Sequence, residues 1–156
     1  MIVYIGADHR GFDLKATLVA ALKGDGHEVI DVGAAANDPA DDYPDFARAV
    51  AEKVAAAQAG AMPTPVFGIV ICGSGFGVDI VANKFKGVRS ALAMSPEHIR
   101  VGRHDDDVNV LSLAADFITP EQALATARAF FATPFEDNEE RYVRRLGKIT
   151  EIENGK

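Results

Sequence analysis

Val66-Phe67-Gly68-Ile69-Val70-Ile71-Cys72-Gly73-Ser74-Gly75-Phe76-Gly77 is the stretch on which the fold turns. From Val66 to Ile71 the run is nearly all apolar, as in a strand covered on both faces. Glycines follow at 73, 75 and 77, and a helix is predicted through Asp79 to Phe85. A buried strand that enters a helix through a glycine turn belongs to a β-α-β unit. Glycine lets the backbone turn sharply and expose successive N–H groups. Those donors, with the positive end of the next helix, suit an oxyanion or a phosphate.

The same alternation extends in both directions. Upstream, Ile2 to Ile5 is an apolar run ending at Gly6-Ala7-Asp8. Leu14, Leu18, Val19, Ala21 and Leu22 recur at helical spacing and stop at Gly24 and Gly26. Val29 to Val32 predicts a second strand, Gly33 to Pro44 an acidic loop, and Phe46, Val50 and Val54 a second helix. Gln58 to Pro65 reads as an ordered loop, not a domain linker. Downstream, Val88 to Met94 and Val108 to Leu113 predict strands four and five. Ser95-Pro96-Glu97 and Thr119-Pro120-Glu121-Gln122 carry helix-start signals, a capping side chain followed by proline. The segment Asn138 to Ile152 is charged and predicted helical. The expected fold class is α/β: a three-layer α/β/α sandwich, Rossmann-like, around a five-stranded parallel sheet. Residues 1–156 read as a single domain, with 137–156 a C-terminal helical tail.

Composition narrows the function classes. The chain has 156 residues, 48% apolar and 25% charged, which suits one compact core. The net charge is −7 and no basic patch is visible, which speaks against nucleic acid as a partner. No apolar run approaches the roughly 18 residues of a membrane span. No signal peptide is visible, and a cytoplasmic location is expected. The single cysteine, Cys72, rules out an intramolecular disulfide.

In parallel sheets ligands bind beyond the carboxyl ends of the strands. Asp8-His9 and Cys72 to Gly77 stand there. Arg103 to Asp107 lies at a helix end leading into strand five. A thiol at the glycine turn would sit in a field favouring its thiolate, the form that acts as a base. On local pattern alone Cys72 reads first as a small buried hydrophobe beside a tight turn. The spacing Gly-x-Gly-x-Gly is not that of a dinucleotide fold, and no Walker loop is present. His9 suits a phosphate and Asp8 a sugar hydroxyl, unless both only shape a turn. Tyr43, in Asp42-Tyr43-Pro44, either brings a phenol to the site or marks a helix start. Arg141 and Arg145, four residues apart, share a helical face of donors matched to phosphate, or a solvated surface. His27 and His98 read as surface residues, and no spacing suggests a metal site.

Taken in order, the motifs resemble one family, the type B ribose-5-phosphate isomerases and related galactose-6-phosphate isomerases. The resemblance rests on Ile5-Gly6-Ala7-Asp8-His9-Arg10-Gly11-Phe12-Asp13-Leu14-Lys15 and Asp42-Tyr43-Pro44-Asp45-Phe46-Ala47. It continues through Ile71 to Gly77, Ala82-Asn83-Lys84-Phe85-Lys86-Gly87-Val88-Arg89, Asp107-Val108-Asn109-Val110-Leu111, and Arg141 with Arg145. It implies strand order 2-1-3-5-4, no cofactor and no metal. It also implies a homodimer, or a dimer of dimers, with active sites shared between subunits. Cys72 would then move the proton between the carbons flanking a sugar phosphate's carbonyl, most readily interconverting ribose 5-phosphate and ribulose 5-phosphate. The backbone of Gly73, Gly75 and Gly77 would stabilise the enediolate, and Ser74 would stand beside the base as a further catalytic residue. Asp8 and Tyr43 would contact the sugar, and His9, Arg141 and Arg145 the phosphate.

One stretch departs from the family pattern Arg-x-His-Asn-Asp-x-Asn. Here Arg103-His104-Asp105-Asp106-Asp107-Val108-Asn109 puts Asp105 where the ring-opening histidine stands and Asp106 where an enediolate-holding asparagine stands. His104 lies one place early, and Asn109 keeps its position. An ionised carboxylate donates no hydrogen bond. The substitution therefore leaves three other readings: an isomerase of a tetrulose phosphate, which needs less ring opening, one of galactose 6-phosphate, or a sugar-phosphate binder without catalysis.

Overall fold

The computed structural model describes residues 1–60 and 63–155. Five strands, β1 (Ile2–Ala7), β2 (Glu28–Asp31), β3 (Val66–Cys72), β4 (Ser90–Leu92) and β5 (Val110–Ala114), form one sheet. Its order is β2-β1-β3-β5-β4 and every pairing is parallel. The helices are α1 (Phe12–Gly24), α2 (Tyr43–Ala59), α3 (Phe76–Ala82), α4 (Pro96–Asp106), α5 (Pro120–Ala132) and α6 (Glu140–Glu153). The three-layer α/β/α sandwich and the strand order match the expectation.

Two apolar clusters explain the layers. Leu14, Leu18, Ile99, Ala127 and Phe130 from α1, α4 and α5 pack on one face of the sheet, against Ile5, Ile69 and Leu111. Ala47, Val50, Val54, Val78 and Ala82 from α2 and α3 cover the other, against Val70 and Val110. β3 is central and apolar on both faces, as its sequence requires. No helix among the described residues is long and apolar enough to cross a membrane.

Element ends shift where local hydrogen bonding decides them. β4 is only Ser90–Leu92, shorter than the predicted strand Val88–Met94. Gly87 has φ +76, and the Val88 N–H turns back to the Phe85 carbonyl, so the strand cannot start earlier. β5 begins at Val110, because the Val108 N–H closes onto the Gly102 carbonyl of α4. α3 spans Phe76–Ala82, starting and stopping three residues before the expected Asp79 and Phe85. Ser95 accepts from the His98 N–H at 3.2 Å, and Thr119 forms a reciprocal capping box with Gln122. The predicted loop Gln58 to Pro65 begins later, because α2 runs on to Ala59; residues 61 and 62 lie outside the described residues. The expected tail helix is α6, which packs on α4.

Candidate active site

β1 and β3 lie side by side and end at Ala7 and Cys72. Beyond those ends a cleft of about 290 Å³ opens. Its deep end holds Asp8 and Cys72, which are 4% and 5% exposed. Asp8 caps the turn that opens α1: one carboxylate oxygen accepts from the N–H groups of Arg10 at 3.0 Å and Gly11 at 3.1 Å. The other oxygen has no hydrogen-bond partner among the described residues.

Cys72 is the last residue of β3, and its Sγ accepts from the Gly75 N–H at 3.2 Å. Gly75 takes φ +75, a conformation open to glycine and strained for side chains. A Cβ there would also stand 2.5 Å from the Leu92 Cδ1. The turn therefore aims a backbone donor at the sulfur, and only glycine permits it. Exposed Ser74 lines the cleft beside it. Tyr43, first residue of α2, forms a wall: a Cβ on Gly77 would lie 2.6 Å from the ring. Tyr43 thus opens a helix and lines the cleft.

His9 stands next to Asp8, with both its N–H (3.1 Å) and its Nδ1 (2.6 Å) on the same Asp41 oxygen. An ionised carboxylate only accepts, so Nδ1 carries the hydrogen and Nε2 stays free. The second Asp41 oxygen is buried without a partner among the described residues. Asp8, His9 and Asp41 place three potential ligand atoms within 4.8 Å of one another. One oxygen of Asp8 is taken by backbone N–H groups and one oxygen of Asp41 by the His9 N–H and imidazole.

Two charged side chains complete the cleft and escaped the sequence reading: Arg10 and Asp116. They form an ion pair across the mouth. Both follow a strand's carboxyl end by two or three residues, the position that should have marked them.

The remaining candidates lie elsewhere. Val110, which opens β5, pairs with Gly68, four residues before Cys72. At roughly 3.3 Å per residue this is about 13 Å along the sheet. The end of α4 therefore sits at the amino end of the strands, opposite the end that carries Cys72. There His104 Nδ1 meets Asp105 at 2.6 Å, and the His104 and Tyr142 rings stand edge to face at 5.8 Å. Arg141 donates to the Tyr142 hydroxyl at 2.9 Å. The His104 hydrogen bond, helped by the Tyr142 hydroxyl and the Arg141 charge, holds the Asp105 carboxyl below the usual carboxylate range. Arg145 is exposed on the same helix as Arg141. Asp106 points away from this cluster, into a groove with Arg89, Ser90 and Ile149. Asn109 is buried, its carboxamide bonding the Gly87 carbonyl and the Arg89 N–H, both at 2.8 Å. The structure thus brings Asp8, Tyr43, Cys72, Gly73, Ser74 and Gly77 together, with His9 and Gly75 adjoining. Within one chain it leaves His104, Asp105, Asp106, Asn109, Arg141 and Arg145 apart from them.

The geometry has relatives. The family model described as Ribose/Galactose Isomerase matches residues 3–149. A probable ribose-5-phosphate isomerase B of Mycoplasma pneumoniae is 38% identical over 154 residues, covering 99% of this chain and 96% of the relative. Ribose-5-phosphate isomerase B of Mycobacterium tuberculosis is 39% identical over 153 residues, covering 98% and 90%. The crystal structure of ribose-5-phosphate isomerase B from Mycoplasma genitalium with bound ribulose-5-phosphate superposes with a TM-score of 0.91. It is 37% identical, with 99% of this chain and 97% of that chain covered. With its fold and nearly its whole length in common with these proteins, the chain belongs to the ribose/galactose isomerase family.

Proposed function

We propose that this protein is an aldose-ketose isomerase that interconverts ribose 5-phosphate and ribulose 5-phosphate, with Cys72 as the base. The full-length similarity to an isomerase bound to ribulose-5-phosphate supports the substrate. The observation that carries the base assignment is Cys72 at the deep end of the cleft, with a backbone donor on its sulfur.

The chemistry balances without an external oxidant or reductant. With the sugar in its open form, the Cys72 thiolate takes the proton from C2, and the electron pair moves into the C1–C2 bond. The carbonyl oxygen at C1 becomes the enediolate oxygen. Backbone N–H groups of the Gly73 to Gly77 turn other than that of Gly75, which is on the sulfur, and the Ser74 hydroxyl offer it hydrogen bonds, a contribution that is often the largest catalytic term. The proton then returns from sulfur to C1, while the O2 proton shifts to O1, leaving the ketone at C2. Asp8 uses its free oxygen to accept a sugar hydroxyl. A working thiol suits a reducing compartment, and we place the protein in the cytoplasm.

The working unit is a homodimer, or a dimer of dimers, in which a second copy brings His104, Asp105, Arg141 and Arg145 to the mouth. Their position at the other end of the strands from their own chain's Cys72 supports this, as do the exposed Phe76 and Ile80 on α3 beside the cleft. Mixing Cys72→Ala with Arg141→Ala chains under exchange conditions then restores turnover that neither has alone. A mixture as inactive as its parts refutes the shared site.

The ionised Asp105 favours a second reading. A carboxylate held below its usual range cannot protonate a ring oxygen at neutral pH. Either His104, its bonded neighbour, supplies that proton, or the substrate is a sugar phosphate with little ring form. A coupled assay with pentose, tetrose and hexose phosphates decides. Ribose 5-phosphate turning over fastest supports the first reading, and a tetrose phosphate doing so supports the second. No turnover of any leaves a binding protein.

A further inference from the structure

The cleft is acidic for a site that must take a phosphate dianion. Asp8 and Asp116 line it, and Arg10 is the only cation among its described lining residues. The chain as a whole carries −7, so an anion has to find a local cluster of donors. The cleft also has a depth gradient. Cys72 and Asp8 are at the buried end, whereas the Arg10 and Asp116 side chains are 56% and 35% exposed at the rim. Reacting carbons must reach the sulfur, so the far, phosphorylated end of an open-chain sugar lies toward the rim.

Arg10 is built into that rim. A Cβ on Gly73 would stand 2.7 Å from the Asp116 carboxylate and closer still to the Arg10 Nε. The ion pair therefore lies flat against the backbone of the turn that carries Cys72. Asp116 takes one Arg10 terminal nitrogen, and no other guanidinium hydrogen bond occurs among the described residues. Four of the fork's five N–H groups are left, in a shape matched to phosphate oxygens.

We infer that Arg10 is a phosphate-binding residue of the cleft and that Asp116 is its resting counter-ion, displaced when the phosphate arrives. The inference rests on the proposed isomerase reading for the identity of the substrate, not for the anion site itself. It makes the cleft's own chain contribute a cation to the phosphate, in addition to those assigned to a second copy.

Inorganic phosphate is the probe, measured by titration calorimetry on the intact protein and as a competitive inhibitor of ribose 5-phosphate turnover. Arg10→Gln is expected to weaken phosphate about tenfold or more, ~1.4 kcal/mol per factor of ten. It should raise KM similarly and leave kcat within about threefold, because a contact made equally to substrate and transition state acts on KM. Arg10→Lys should recover part of the loss, and Asp116→Asn should bind phosphate more tightly than the parent. Unchanged phosphate binding in Arg10→Gln overturns the assignment. So does a fall in kcat alone, or equal weakening by Arg10→Gln and Asp116→Asn, the pattern of a pair that only props the Gly73 turn. If the parent protein turns over no ribose 5-phosphate, the isomerase reading fails. The calorimetric comparison still decides the fate of Arg10.

Discussion

Cys72 sits where a base and a buried packing residue are hardest to tell apart: at a strand end, 5% exposed, next to a glycine turn. The two roles differ in what removal does. As the base, Cys72→Ala lowers kcat by about 10²–10⁴, the usual worth of a positioned proton carrier, while phosphate still binds. Near-parent kcat in this variant would end the assignment. Asn109 shows the converse. Its carboxamide holds the Gly87–Arg89 turn, so Asn109→Leu should cost about 1–3 kcal/mol in urea unfolding through unpaired backbone groups. Asp105 adds a pH signature. Its folded-state pKa is depressed, so its stabilising contribution is present above the unfolded value of about 3.9 and fades as pH falls through the lower folded value. The melting-temperature gap between parent and Asp105→Asn should therefore be steady near neutrality and close on acidification below pH ~4. A gap that persists unchanged at the acid end would show that the His104 bond does not set it.

Whole elements were more legible in the sequence than their ends were. β3 and its glycine turn announced themselves, because six apolar residues and three spaced glycines have few other uses. β4 looked longer than it is, since apolar residues at 88, 93 and 94 say nothing about where N–H groups turn. The site was legible where it followed a motif, at Asp8, Cys72 and the glycines. It was not legible where it depended on distant pairing: Arg10 and Asp116 are 106 residues apart. Nor could sequence choose among His104, Asp105 and Asp106. Consecutive helical residues point about 100° apart, so the rotation of α4 decides which faces α6. At this scale the turn into α3 is the critical joint. Gly75→Ala must adopt φ near +75 and press on Leu92, and we expect a loss of about 1–2 kcal/mol or more, with reduced activity. Equal stability and activity would show that the turn can relax without cost.

For the molecule as a whole, the decisive feature is that the chain carries its two sets of candidate site residues at opposite ends of the sheet's strands. Cys72 stands at the end of β3, and His104, Asp105 and Arg141 stand beyond the start of β5. No bending of a five-stranded sheet packed on both faces brings them together. Under the shared-site proposal this makes catalysis a matter of mass action. Specific activity should stay level at high protein concentration and fall on dilution once the copies part, recovering on reconcentration. A specific activity that does not change with dilution, while light scattering shows single chains, would mean that one copy suffices. In a cell holding two alleles, a chain with an intact Cys72 half and a broken Arg141 half would spoil the mouth it lends to a sound partner. Damage at one end of the strands would therefore be felt at the other end of a different molecule.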